Sequence, residues 1–335
     1  MKTRIGELIT VVLITVLSIW AYLGKIYGWH EGVRFPGWLS AVVLLMAGLS
    51  LAYILYLTIT GRMVERRIVF LYVGVAVALP LFMSIEQSIP VSAEVRAVYD
   101  ELEKLPVGSK VLISFDYDPA SAPELQPQAE AFISECFSRD IKIIIMGLWP
   151  QGPQLANQAV ERVLEREEFR DKGITYGTDW VNLGFQSGNE FVIQRMGSSF
   201  RSMFKTDYSG TPYEELDLVK NVKNFDAIDY AMNLSSGFPG TVEWVQVGVD
   251  RYGLRMGAGN TAVQAPTVYP YLGTQLIGLM GGMSGAAEFE QVTARPDKAS
   301  RFMLSQSLAH VIVMAFIIIG NVAFFRSGRK SALKR

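Results

Sequence analysis

Long apolar segments occupy both ends of the chain. Residues 8–23, 38–59 and 68–85 near the start, and residues 302–325 near the end, each approach the roughly 20 residues that a helix needs to cross a bilayer. Segments of this length and composition predict transmembrane helices. The chain is therefore expected to cross a membrane four times, with three helices within residues 1–89 and a fourth at residues 302–325.

Basic residues give these predicted helices a direction. Ten Lys and Arg lie in the N-terminal tip, in the turn before residue 68 and in the tail 326–335, whereas the loop between the first two segments holds two. Short loops rich in Lys and Arg stay in the cytoplasm. Both termini and the basic tail are predicted to be cytoplasmic, and residues 90–301 to form an extracytoplasmic domain, in the periplasm or its equivalent.

A fifth uncharged stretch, residues 271–287, is nearly long enough to span but contains five glycines. If it crossed the membrane, the basic tail would be forced outside, against the distribution of charge. We predict instead a buried helix that packs closely through its small residues. A helix that leans on the membrane is the alternative.

Between the membrane segments, short apolar runs alternate with stretches of helical periodicity. The predicted strands are residues 110–115, 141–148, 180–185, 227–234 and 261–265, and the predicted helices are residues 92–105, 123–139, 154–168, 190–204 and 241–252. Such alternation is typical of a parallel sheet with crossover helices. The predicted fold class is α/β: a Rossmann-like (flavodoxin-like) three-layer domain with about five mainly parallel strands.

Charge separates this domain from its flanks. Residues 86–306 carry 29 Asp and Glu against 19 Lys and Arg, while the rest of the chain carries 3 against 12. An acidic domain argues against nucleic-acid binding, which requires a basic surface. The single cysteine, Cys136, has no partner for an internal disulfide and lies on the apolar face of a predicted helix, which indicates a small core residue.

Polar side chains follow the predicted strands at their carboxyl ends, where parallel sheets bind ligands. The candidate ligand-binding residues are Asp116, Asp118, Gln186, Asn233, Ser235 and Ser236. Hydrogen bonds from such groups could orient a small polar solute such as a sugar or an amide. In the plainer interpretation, Asp116 and Asp118 cap the following helix or solvate a loop.

The run Phe115, Asp116, Tyr117, Asp118 after an apolar strand resembles the first motif of haloacid-dehalogenase-like phosphatases. The resemblance implies that one Asp attacks phosphorus and the next serves as acid and base. It covers this motif alone, because the small pair that follows in the family is replaced here and no acidic pair follows a later strand to hold Mg²⁺.

Other common cofactor and catalytic signatures are missing from the predicted domain. It contains no His, so we predict neither a zinc site nor a Ser-His-Asp triad. Residues 257–259, Gly-Ala-Gly, lack the pattern of a phosphate-binding loop and are predicted to form a turn. No metal and no cofactor are expected.

One polar pair lies within the last apolar segment. Gln306 and His310 are four residues apart and therefore share a helix face. We predict that they hydrogen-bond to a neighbouring helix, with a proton path as the alternative.

These patterns lead to a functional prediction and two alternatives. We predict a non-catalytic, membrane-anchored binding or assembly module that forms a homo-oligomer or a complex with other membrane proteins in the lipid bilayer. The first alternative is an extracytoplasmic receptor or transporter accessory that binds a small polar solute at the strand ends. The second is a divalent-metal-dependent, phosphatase-like hydrolase that uses Asp116 and Asp118.

Overall fold

The computed structural model describes residues 37–60, 66–78 and 88–332. The chain divides into two compact units, one formed by Ser88–Ser300 and the other by the residues on either side of it. The predicted span at residues 8–23 lies outside the described residues, and so does the last part of the predicted span at residues 68–85.

Three helices belong wholly or largely to the unit formed by the residues on either side of Ser88–Ser300, which we call the flanking unit. Helix α1 is Gly37–Ile59, helix α2 is Arg66–Ala78, and the C-terminal helix is Lys298–Ala332. Among the described residues, Lys298–Phe325 is the one helix both long and apolar enough to cross a membrane, while α1 contains the shorter apolar stretch Leu45–Thr58. The structure thus supports one clear span candidate, not four. The C-terminal helix also continues through the first residues of the predicted tail.

The Ser88–Ser300 unit is built on one sheet of six parallel strands. The strands are β1 Lys110–Asp116, β2 Lys142–Gly147, β3 Trp180–Phe185, β4 Tyr230–Ser235, β5 Met256–Asn260 and β6 Leu276–Gly281. Their order across the sheet is β3-β2-β1-β4-β5-β6. This is the strand order of the Rossmann arrangement, whereas flavodoxin-like sheets have a different order. The prediction of a parallel α/β sheet is confirmed, and the predicted number of strands is one too few.

Helices cover both faces of the sheet. The helices of this unit are α3 Ala93–Lys104, α4 Ala122–Ser138, α5 Gly152–Leu164, α6 Glu167–Arg170, α7 Glu190–Ser198, α8 Phe200–Met203, α9 Thr241–Glu243, a π-helix at Trp244–Val249, α10 Asp250–Tyr252, α11 Ala265–Val268 and α12 Gly282–Val292. Short 3₁₀ turns lie at Tyr213–Glu215, Phe225–Ala227 and Tyr269–Tyr271.

Alternation along each strand separates two apolar cores. In β1, Leu112 belongs to the core beneath α7 and the π-helix, while Val111 and Ile113 belong to the core beneath α4 and α5. This follows from the pleat, which points successive side chains to opposite faces. Because both faces are covered, strands such as β2 read as continuous apolar runs.

The prediction for the fifth strand is wrong by about five residues. Strand β5 is Met256–Asn260, so the expected turn at residues 257–259 lies inside the strand and the expected strand at residues 261–265 follows it. Small residues are required there by close packing. A Cβ on Gly257 would lie 2.0 Å from the Tyr230 hydroxyl, and one on Gly259 would lie 2.3 Å from the Gln128 side chain.

The glycine-rich stretch at residues 271–287 is not a single helix. Its middle forms β6, and α12 starts only at Gly282. The close approach that its glycines predicted does occur: a Cβ on Gly278 would lie 2.5 Å from the Glu94 carbonyl oxygen and 2.7 Å from Val98. The glycines therefore indicated close packing correctly, but they lie in a strand, β6, which packs against helix α3, and not in a helix.

Candidate functional site

The carboxyl ends of β1 and β4 define a crevice in the middle of the sheet. The two strands are neighbours, with Asp116 paired in register with Ser235. The chain leaves β1 toward the core that contains Phe132 of α4, and leaves β4 toward the core that contains Trp244. In a doubly wound sheet, ligands bind at such a switch point. It is therefore the first place to look for a functional site.

The carboxylate of Asp116 lies at the base of this crevice and is fully buried. The Leu148 backbone N–H donates to Oδ1 at 2.7 Å, and the Asn233 amide donates to Oδ2 at 2.6 Å. The Trp244 indole N–H donates to Oδ2 at 3.0 Å. The Ser114 hydroxyl lies 2.8 Å and 2.9 Å from the two oxygens. One carboxylate thus ties together β1, β2, β4 and the π-helix.

Burial raises the pKa of Asp116 from its ordinary value of 3.8 to about 6, although the hydrogen bonds to the carboxylate act in the opposite direction. Ser114 provides for the protonated form as well. Its hydroxyl lies 3.2 Å from the sulfur of Met146, so it can donate there while it accepts a hydrogen bond from the protonated Asp116 carboxyl. Both protonation states therefore have hydrogen-bond partners inside the core.

A second group of polar side chains continues from Asn233 toward β5. The Thr241 hydroxyl donates to the Asn233 side-chain oxygen at 2.6 Å, and the Asn260 amide donates to the Thr241 hydroxyl at 2.9 Å. Asn260 also donates to the Ser235 carbonyl oxygen at 3.2 Å. All of these side chains are buried. The network joins the ends of β4 and β5 to the start of the following helix.

The crevice is covered by the segment that follows β2. The Trp149 indole N–H donates to the Pro239 carbonyl oxygen at 2.8 Å, and its ring lies against Gly237. Because β1 lies between β2 and β4, this contact crosses above the end of β1. The chain then passes so close to β1 that a Cβ on Gly152 would lie 2.0 Å from the Phe115 carbonyl oxygen. The place for a ligand is thus filled by the protein itself.

The structure brings some of the predicted site residues together and leaves others apart. Asp116 and Asn233 are in direct contact, and the Ser236 N–H donates to the Asp116 carbonyl oxygen at 3.2 Å. The Ser235 hydroxyl donates to the Gly237 carbonyl oxygen at 3.1 Å. Gln186 follows β3, two strands away from β1. It therefore does not join this cluster.

Asp118 has a different environment from Asp116. It is partly exposed and accepts hydrogen bonds from the backbone N–H groups of Ala120 and Ser121, at 3.1 Å and 3.2 Å. These contacts stabilise the turn that leads into α4, as a capping side chain would. A hydrolase mechanism would require Asp116 to leave its buried contacts before it could attack a substrate.

The pair Gln306 and His310 lies in the C-terminal helix, and both side chains are exposed. Their spacing places them on one helix face. Their predicted hydrogen bond to another helix stays a prediction.

Several members of the network are not apparent from the sequence. Ser114 and Trp244 read as ordinary strand and helix positions, and Thr241 as the start of a helix. Asn260 was not predicted as a site residue, because the fifth strand was predicted to begin after it. The one available signal was that a polar residue ends a run of small residues at this point.

In the described ranges, no group of three or more His, Cys, Asp and Glu side chains could hold a metal ion. Comparison of the chain with protein-family models, with curated proteins and with solved structures found no match.

Proposed function

We propose that this protein is a non-catalytic, membrane-anchored module whose Rossmann-like domain serves in binding and assembly. One observation carries the proposal: the crevice where doubly wound sheets take their ligands is filled by Asp116, Asn233 and Trp244, and Trp149 covers it. In other such domains, groups at this position would contact a ligand. In this protein they bind one another and hold the domain together. The domain then acts through its surface.

The membrane arrangement that we propose has four spans, at residues 8–23, 38–59, 68–85 and 302–325. Support comes from the apolar C-terminal helix Lys298–Phe325, from helix α1 and from the basic residues of the predicted cytoplasmic loops. In this arrangement both termini are cytoplasmic and the Ser88–Ser300 domain is extracytoplasmic.

Cysteine labelling tests this topology. The native Cys136 is buried, so a reporter cysteine can be placed on either side of the membrane. Glu167→Cys is on the exposed surface of the domain, and Lys334→Cys is in the basic tail. A membrane-impermeant maleimide applied to intact cells should label the Glu167→Cys protein and not the Lys334→Cys protein. Labelling of the Lys334→Cys protein alone would place the domain in the cytoplasm.

The functional proposal is tested with Asp116→Asn and Gln186→Ala in the full-length chain. Both variants should assemble as the wild type does, as measured by sedimentation in detergent. A bound solute that is lost in Gln186→Ala would favour the receptor alternative. Turnover of a phosphomonoester with Mg²⁺ that is lost in Asp116→Asn would favour the hydrolase. Either result would contradict the proposal.

A further inference from the structure

The C-terminal helix carries an exposed line of residues within its apolar part, Lys298–Phe325. We define the polar seam as Gln306, His310, Val313, Ile317 and Gly320, all of which are exposed. The gaps between them alternate between four and three residues, so the seam repeats about every 3.5 residues and runs for about 20 Å along the helix. This is the spacing of the contact line in a left-handed coiled coil.

The contacts of this helix with its own chain lie on another face. Ser305, Ile312 and Ile319 are buried, at intervals of seven residues. Beside them Phe316 meets Tyr72 of α2, with 5.7 Å between the ring centroids. This buried face lies roughly 120° around the helix from the polar seam. Among the described residues, the helix therefore packs against its own chain through a face other than the seam.

A third face of the helix is exposed and wholly apolar, as suits a surface in contact with lipid chains. Its residues are Val311, Ile318 and Phe325. The polar seam differs from this face, because Gln306 carries an amide and His310 an imidazole. In a bilayer these two side chains would lie about 6 Å and about 12 Å inside the start of the apolar segment at residue 302, where acyl chains offer no hydrogen-bond partner. The seam is therefore suited to contact with protein rather than with lipid.

The chemistry of the seam selects an identical partner. Residues 302–325 contain no Asp, Glu, Lys or Arg, so the seam requires no opposite charge in its partner. An amide offers donors and an acceptor, and a neutral imidazole offers one of each, so Gln306 and His310 can each pair with a copy of itself. A second copy crosses the membrane in the same direction, and a twofold axis then brings identical residues face to face. Polar residues in a coiled-coil contact line fix this register, and Gly320 lets the two backbones approach closely.

We propose that the polar seam docks the polar seam of a second copy of this chain, as a parallel, left-handed helix pair in the membrane. Gln306 and His310 hydrogen-bond to their counterparts in the second copy, while the face that carries Val311 and Ile318 contacts lipid. This inference rests on the proposed function, since it names one contact surface of the assembly and the partner that it takes.

Disulfide cross-linking between copies tests the pairing in membranes of cells that express the full-length chain. Val313→Cys and Ile317→Cys place a thiol on the seam, and Val311→Cys and Ile318→Cys are the matched controls on the apolar face. The exposed fractions of the matched positions are similar, 41% and 53% for the two valines and 57% and 60% for the two isoleucines. The native Cys136 is buried and does not interfere. After oxidation with copper phenanthroline, the seam cysteines should give at least about tenfold more disulfide-linked dimer than their controls.

Removal of a polar side chain tests whether the seam recognises itself. In the Val313→Cys protein, expressed at a low level so that association is incomplete, Gln306→Leu should lower cross-linking about threefold, because a hydrogen bond between the helices is lost. Asn321→Leu is the matched control. The Asn321 side chain is also an exposed amide of this helix, but it lies off the seam and donates to the Ile317 carbonyl oxygen of its own helix at 2.8 Å. This control should leave cross-linking unchanged.

The inference is overturned if seam and control cysteines cross-link equally, or if the seam cysteines form no dimer. It is also overturned if Gln306→Leu and Asn321→Leu change cross-linking equally. An oligomer that assembles without cross-links at the seam would show that residues 8–23 of the same chain or another protein cover it, and the proposed function would still hold. A wild-type monomer that carries a bound solute would instead contradict the proposed function itself.

Discussion

The buried carboxylate of Asp116 predicts an unusual dependence of stability on pH. Its pKa is about 6 in the folded protein and 3.8 in an ordinary setting. Between these values the folded state keeps a proton that the unfolded state has released. The contribution of Asp116 to stability is therefore fully present below pH 3.8, falls as the pH rises and is lost above pH 6.

The size of this effect follows from the shift in pKa. A shift of about two units corresponds to about 3 kcal/mol, and about 2 kcal/mol of it should be present at pH 4.5 relative to pH 8. Asp116→Asn removes the titration. Its NH2 group cannot accept an N–H as the carboxylate oxygen does, and this loss lowers stability at both pH values and cancels in the difference between them. On acidification, the free energy of unfolding of the wild type should therefore rise by about 2 kcal/mol more than that of the variant.

Urea unfolding of the full-length chain in mild detergent, followed by tryptophan fluorescence, measures this difference at the two pH values. Other titrating groups are common to both proteins, so their contributions cancel when the pH-dependent change in the variant's free energy of unfolding is subtracted from that of the wild type. Equal pH dependence in the two proteins would show that the pKa of Asp116 is not raised in the folded protein. If the wild type instead lost stability on acidification relative to Asp116→Asn, the pKa of Asp116 would be lowered in the folded protein rather than raised.

Two further changes test the packing of the domain. Gly278→Ala should lower the free energy of unfolding by about 1–3 kcal/mol, because the new methyl group would overlap the backbone of α3. Gly237→Ala should lower it less, since a methyl group there meets only the Trp149 ring, at 3.7 Å. Urea unfolding compares the two variants, and equal destabilisation would contradict the close approach of Gly278 to α3. Glu290→Gln should destabilise the domain by about 1–3 kcal/mol, since the buried carboxylate accepts the N–H groups of residues 297, 299 and 300 at the start of the C-terminal helix. Hydrogen exchange at these amides should then be faster, and unchanged exchange would contradict the contact.

The sequence predicted those parts of the fold that depend on periodicity. Strand β3 was placed at its observed bounds, and α4 within one residue at each end, because apolar spacing reports burial directly. Strand β5 was predicted about five residues too late and β6 was predicted as part of a helix, because glycine-rich strands have few of the branched side chains that mark a strand. Their glycines are needed for contact with Tyr230 and Val98, which are distant in sequence.

The candidate site was predicted in part for a related reason. Asp116 and Asn233 end neighbouring strands, and that position follows from the alternation of strands and helices alone. Trp244 reaches Asp116 from a π-helix, and Leu148 offers a backbone N–H; neither contact has a pattern in the sequence. Whether a carboxylate faces a ligand or the core depends on these contacts.

We propose that the domain assembles through its surface and holds no ligand at the switch point. Native mass spectrometry of the full-length chain, extracted together with its lipids, measures stoichiometry and retained small molecules at once. We expect a homo-oligomer or a complex with partner proteins, with no small-molecule mass bound to each chain. A monomer that carries a defined additional mass would contradict it.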